Sequence, residues 1–327
     1  MKKMKQQHRL FSTIHCLSLT GVLMAGALPV RADVMAYWRF ETGPDGAQVS
    51  HGGQGNGVFY PGVLDSSGHG NDLSVFAEGW AGYAYGTDLP SATIPQTGAA
   101  NKYSVVNTGG SPAMWNHSLS TWSPSAWTIE AAFQPENGGY RTLVGRDSRG
   151  TAGVNGDLAA LYLQTQPDNS LAIKYCDVSG NWHEAVSAPG LVPGYNWPNS
   201  GDGTWQAVAA VCDGTELSLY YKNIEGGDTS YRLVAQTSVS GLNTALTTGA
   251  GDGGDWDAGD FSVGRGLYAG GHGDRAYGSI DEVRISDTAL TPNQFLFTVP
   301  EPGTIAMSLI LLSGLGCYAG RRFWLRR

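Results

Sequence analysis

A chain of 327 residues with 47 glycines, 10 tryptophans, 15 tyrosines and only 15% charged residues is long enough to bury a full core, and its makeup suits turns and half-buried strands. The net charge of −8 is unevenly spread: five of the 20 basic residues precede Asp33, four follow Gly320, and every acid but Glu301 lies between. So acidic a middle is repelled by phosphate backbones, and no basic patch interleaved with aromatics occurs, which excludes nucleic acid as a partner.

In chain order, residues 1–32 read as a signal peptide. Basic residues from Lys2 to Arg9 precede an apolar stretch, and Val30 and Ala32 stand at the −3 and −1 positions of a cut before Asp33. Strands are predicted over 34–41, 126–134, 157–165, 170–176, 204–212, 215–223, 231–239, 260–265 and 277–286, divided by Gly, Asp, Asn and Pro clusters. Asp213-Gly214 reads as the tight turn of a hairpin. Many short strands at this spacing predict one all-β sandwich or jelly roll over 33–298, with 78–125 as a loop excursion upon it. Within the last strand, Ile280 breaks the alternation that Val283 and Ile285 share, because strict period two from Ile280 would turn Glu282 inward.

The tail, residues 299–327, opens on Pro300, Glu301 and Pro302, which keep the backbone extended. The segment about 303–320 carries no charge and is just long enough for a thin bilayer span as a helix. Arg321, Arg322, Arg326 and Arg327 follow and belong on the cytoplasmic side. Both ends thus place the middle outside the cytoplasmic membrane.

Two resemblances attach to these residues. The Pro-Glu-Pro turn, apolar helix and arginine cluster resemble the PEP-CTERM sorting signal of bacteria with two membranes. That resemblance implies recognition and cutting by exosortase, a membrane transpeptidase. It also implies an inner-membrane-anchored intermediate, then delivery to the cell surface or the medium. A plain single-span anchor is the alternative. The ordered blocks "YWRFE", "VLDSSGHGNDL", "WTIEAAFQPENGGYRTLVGR", "TWQAVAAVCDGTELSLYYKN", "FSVGRG" and "GSIDEVRISDTALTPNQF" resemble a LamG-like jelly roll of the concanavalin A-like lectin/glucanase superfamily. It implies that "YWRFE" pairs with the last block.

Catalytic patterns are missing. The superfamily's glucanases use Glu-x-Asp-x-x-Glu on one strand, whereas Glu130 is followed by Ala131 and Ala132. Neither a zinc His-Glu-x-x-His nor a Gly-x-Ser-x-Gly elbow occurs. An enzyme would have to bring two acids together from separate strands, such as Glu130 and Glu216. Beyond the leader, the histidines at 51, 69, 117, 183 and 272 read as loop residues.

Binding features are present. Trp38, Trp127 and Trp205 read as core, while Trp182 and Trp197 stand beside turns, where their rings either stack on sugars or simply pack against strand ends. Asp65, Asn71 and Asp72 would converge with Asp281 on a structural Ca2+ if the terminal strands pair. A second acidic stretch holds Asp252, Asp255, Asp257 and Asp260. For both, a solvated loop is the alternative. Cys176 and Cys212 form a disulfide in an oxidising compartment, or remain two buried thiols on non-neighbouring strands. Taken together, these features predict an exported, surface-sorted, non-catalytic protein that binds polysaccharide or builds the matrix or envelope. The alternatives are a polysaccharide-degrading enzyme and a purely structural surface protein.

Overall fold

The structure, a computed structural model, describes residues 32–300 apart from 50–53, 56–57, 60–61, 77–81, 111, 135–138, 148–157, 194–202, 249–258 and 269–270. The signal peptide (but for Ala32) and, beyond Pro300, the sorting segment lie outside the described residues. Among those residues, no helix is long and apolar enough to cross a membrane.

The strands in chain order are β1 (Val34–Trp38), β2 (Gln54–Gly55), β3 (Val58–Phe59), β4 (Ser74–Phe76), β5 (Tyr83–Gly86) and β6 (Ser104–Asn107). Next come β7 (Ala113–Asn116), β8 (Trp127–Phe133), β9 (Arg141–Arg146), β10 (Leu161–Thr165), β11 (Leu171–Cys176) and β12 (Trp182–Val186). Then follow β13 (Gln206–Cys212), β14 (Glu216–Asn223), β15 (Arg232–Ser238), β16 (Phe261–Val263), β17 (Gly266–Tyr268), β18 (Gly271–Gly273) and β19 (Ser279–Ser286). They build two large antiparallel sheets and two small two-stranded ones, β2-β3 and β17-β18. Of the large sheets, the first runs β15-β14-β13-β8-β19-β6-β5, with β1 also on β19, and the second runs β12-β11-β10-β9-β16-β7-β4.

The first and last strands do meet. Tyr37 stands opposite Arg284 and Trp38 opposite Val283. The broken alternation in β19 has a cause: between Asp281 and Arg284 the strand takes three steps while β8 takes two, from Ala132 to Glu130. The extra residue is a bulge, with Glu282 in the left-handed region at φ 51. Because of it, Ile280, Val283 and Ile285 all enter the one core between the sheets. The turn after β13 is also as the sequence implied: Gly214 takes φ 90, and Asp213 Oδ1 accepts the backbone N–H of Thr215 and of Glu216, both at 2.7 Å.

Within 78–125, the described residues supply β5 and β6 at the edge of the first sheet and β7 inside the second. Each is four residues long, too short for alternation to stand out.

Leu171, Ile173 and Tyr175 of β11 face the core, so Cys176 points to the outer side of the second sheet. Cys212, on β13 of the first sheet, faces inward and lies 3.6 Å from the Tyr175 hydroxyl. Strand parity therefore keeps the two cysteines apart as separate buried thiols rather than the disulfide expected as one option. Burial pushes the Cys176 thiol up to about 11.

Trp38 and Trp127 are buried between the sheets, as expected of core residues. Trp205 is equally buried but lies on the outer face of the first sheet, together with Tyr231, Leu290, Phe295, Leu296 and Phe297. That face is thus covered by the chain's own segment 289–297.

Candidate functional site

The covered face holds charges. Glu130 of β8 accepts from Arg284 Nε at 2.6 Å and from the Leu296 backbone N–H at 2.8 Å, and Arg284 Nη2 donates to the Gln294 carbonyl at 2.8 Å. Burial raises Glu130 above the ordinary carboxylate range, and the Arg284 charge opposes the shift. Nearby, Glu282 accepts from the Tyr37 hydroxyl and from Arg39 Nε, the latter at 3.1 Å. Asp281 accepts from Asn101 Nδ2 at 2.7 Å.

This geometry corrects the suggested pairing of Glu130 with Glu216. Glu130 lies opposite Ala209, and Ala209 opposite Tyr220, four residues along β14 from Glu216. Two strand spacings and four residues put the carboxylates' backbones about 16 Å apart. Glycoside hydrolysis needs carboxyls within about 5–9.5 Å.

The expected metal set is also divided. Asp65 Oδ1 accepts the backbone N–H of Tyr37 and of Ser67, both at 2.8 Å. Its Oδ2 accepts the Ser67 hydroxyl at 2.6 Å and the Asn71 N–H at 3.0 Å. A carboxylate has about four acceptor positions, and protein donors take them all. Asp72 Oδ1 accepts the Asp65 N–H, and Asn71 donates to the Met35 carbonyl. Asp281 shares none of these partners. Asp65, Asn71 and Asp72 therefore tie the loop to β1 and do not fit a cation with Asp281. Among the described residues no group of three His, Cys, Asp or Glu is arranged for a metal. Of the second acidic stretch, Asp252, Asp255 and Asp257 lie outside the described residues, while Asp260 is buried against His117 Nδ1 at 2.8 Å.

His183 is likewise not a loop residue. It sits on β12, buried, with Nε2 at 2.9 Å from Asp177 Oδ2.

The open site lies on the outer face of the second sheet. Leu161, Leu163, Leu171, Ile173 and Ala185 turn inward, so alternation sends Tyr162 and Gln164, Lys174, and Trp182 and Glu184 outward from three neighbouring strands. Lys174 stands opposite both Tyr162 and Glu184, and its Nζ is 2.6 Å from Glu184 Oε1. A wall rises from the β17–β18 hairpin. The Tyr162 hydroxyl donates to the Leu267 carbonyl and accepts the Ala159 N–H at 2.7 Å, while Thr142 N donates to the Asp274 carbonyl at 2.8 Å. Together with Tyr140, Leu158, Tyr268 and Asp274, these residues enclose a cleft of about 410 Å3.

Three of its aromatics keep large free faces: Tyr140 is 47% exposed, Trp182 41% and Tyr268 59%. Asp274 has φ 47, and its half-buried carboxyl is pushed up to about 6 by burial, with the Arg141 charge opposing.

Trp182, picked from the sequence as a sugar platform, is thus in the cleft, although on a strand. Trp197 lies outside the described residues. Sequence reasoning missed Tyr162, Gln164, Lys174, Glu184, Tyr268 and Asp274. Reading "WHEAV" as an alternating strand would have aligned Glu184 with Trp182.

No protein-family model matches the chain, and no curated protein matches it. Solved structures do share features of its shape. Domain 4 of AbnA, a GH43 extracellular arabinanase from Geobacillus stearothermophilus in complex with arabinotriose, is 16% identical with TM-score 0.47, covering 83% of this chain and 99% of that one. The CBM40 of the Ruminococcus gnavus IT-sialidase bound to α2,6-sialyllactose is 14% identical with TM-score 0.39, covering 54% and 84%. The botulinum neurotoxin serotype G binding domain is 8% identical with TM-score 0.45, covering 80% and 49%. Similarity at this level leaves function to the chemistry of the cleft.

Proposed function

We propose that the protein is a non-catalytic glycan-binding jelly roll whose ligand lies in the cleft over β10, β11 and β12. The observation that carries this reading is an open groove where free aromatic faces alternate with polar side chains. A sugar ring offers one apolar C–H face and a rim of hydroxyls. The first suits Trp182 and Tyr268, and the second suits Gln164, Glu184, Lys174 and Asp274. The leader, with its basic start and small-residue cut site, supports export. The Pro-Glu-Pro, apolar and arginine order supports surface sorting by an exosortase.

A second reading, hydrolysis, has one specific support. Asp274, pushed up to about 6, shares the cleft with Glu184, and glycosidases employ two carboxyls of unequal affinity for protons. One experiment tests both. The full chain is applied to an array of plant, bacterial and animal oligosaccharides, with and without EDTA, and bound glycans are analysed for chain shortening. Binding without shortening is expected. Shortened product would transfer the assignment to hydrolysis, and an array with no bound glycan would remove the glycan reading. Loss of binding in EDTA would show a calcium dependence carried by residues other than Asp65, Asn71, Asp72 and Asp281.

A further inference from the structure

We infer that the cleft selects glycans carrying a free, protonated amino group over their N-acetylated or carboxylated counterparts. This rests on the glycan-binding reading above and adds a charge preference to it.

Three charged side chains line the groove: Lys174, Glu184 and Asp274. Two are carboxylates against one ammonium, and Lys174 is already held by Glu184 at 2.6 Å. The surplus charge facing a ligand is negative and centred on Asp274. Arg141 acts on Asp274 through its charge, but neither it nor Arg275 lines the groove, and both have other partners. The Arg141 guanidinium lies 5.2 Å from the centre of the Tyr277 ring and donates to the Tyr140 carbonyl at 3.2 Å, and Arg275 Nη1 donates to the Tyr277 hydroxyl at 3.3 Å.

Asp274 is also fixed in place, since its carbonyl accepts the Thr142 N–H of β9. Its carboxyl sits close enough to the Tyr162 hydroxyl to raise that group further, beside Tyr268. A carboxylate stripped of part of its water gains more from a cation than one in bulk solvent. The ring faces of Tyr140, Tyr162, Trp182 and Tyr268 add their own attraction for a cation. A sugar carboxylate would meet the same field as repulsion. An N-acetyl group would bring bulk and no charge.

The test is calorimetric titration of the full chain with four probes: an oligomer of glucosamine, its N-acetylated form and an oligogalacturonate, all of similar length, and choline as a bare cation. At about pH 7 the glucosamine oligomer should bind about tenfold tighter than the N-acetylated one, and the oligogalacturonate more weakly than both. At about pH 5 that ratio should shrink, because Asp274 takes up a proton while the amine keeps its own. In Asp274→Asn the ratio should fall to about one. Asn tolerates a left-handed backbone, so this variant removes the charge and keeps the turn. Glu184→Gln, which releases Lys174, should reduce the ratio as well.

Equal binding of the N-acetylated oligomer overturns the charge preference and leaves glycan binding standing. A preference that survives Asp274→Asn overturns the role of Asp274. Choline binding as tightly as the glucosamine oligomer overturns the sugar and leaves a bare cation pocket. No binding of any of these oligomers overturns the charge preference, and the glycan reading falls only if the array is empty as well.

Discussion

The outer faces of the two sheets are built from similar residues and meet opposite fates. On the first sheet, Glu130, Arg284 and Trp205 are roofed by the segment 289–297, and the Glu130 and Arg284 charges pair with each other. On the second, Lys174, Glu184 and Trp182 stand in an open groove with aromatic faces left to solvent. An acid on a strand face is therefore no guide to chemistry until its cover is known. Glu130, on the strand nearest to the glucanase pattern, is a structural ion pair, whereas Asp274, in no motif, is the acid available to a ligand.

The sharpest way to break this contrast is to strip the covered face of one partner. Arg284→Ala leaves Glu130 buried without its counter-charge and should cost about 3–5 kcal/mol in denaturant unfolding. A loss below about 1 kcal/mol would mean that the roof is loose and Glu130 reachable. On the open face the effect should move from stability to binding. Trp182→Ala should weaken glycan binding by about ten- to a hundredfold, while changing the melting temperature little, since 41% of the residue is already exposed. A large drop in melting temperature with unchanged affinity would reassign Trp182 to packing.

The smallest effect sharpens the same contrast through pH. The Asp274 carboxyl has an ordinary value of 3.8 and a folded value of about 6. Between these, the unfolded chain loses its proton before the folded one does, so stability falls as pH rises. Asp274→Asn should therefore stabilise the protein by about 1 kcal/mol above about pH 6, after allowing for solvent screening, and not at all below about pH 4. A variant equally stabilised at both ends would show that the gain is unrelated to this carboxyl.

Much of the sandwich was legible because its long strands alternate. β8, β10, β11, β13, β14, β15 and β19 all fall within the predicted spans. Even the bulge left a trace, as the misfit of Ile280 against Val283. The short strands β5, β6 and β7 hold too few residues to display a period, so their region read as loop. Trp182 was legible as an aromatic beside a turn. Tyr268 and Asp274 were not, because a hairpin and the residue after it reach the cleft only by folding back over β9.

Composition and alternation alone thus settle that this chain is β-rich, that its large aromatics build cores, and which side chains share a face of a given strand. Those properties follow from period two and local turn chemistry, which neighbouring residues carry in full. Whether a face is buried depends on where distant segments come to rest. Nothing near Glu130 says that Leu296 will cover it, and nothing near Lys174 says that its face will be left open. Cys176 and Cys212 make the same point: their spacing permits a bridge, but the opposed directions of two strands in different sheets forbid it.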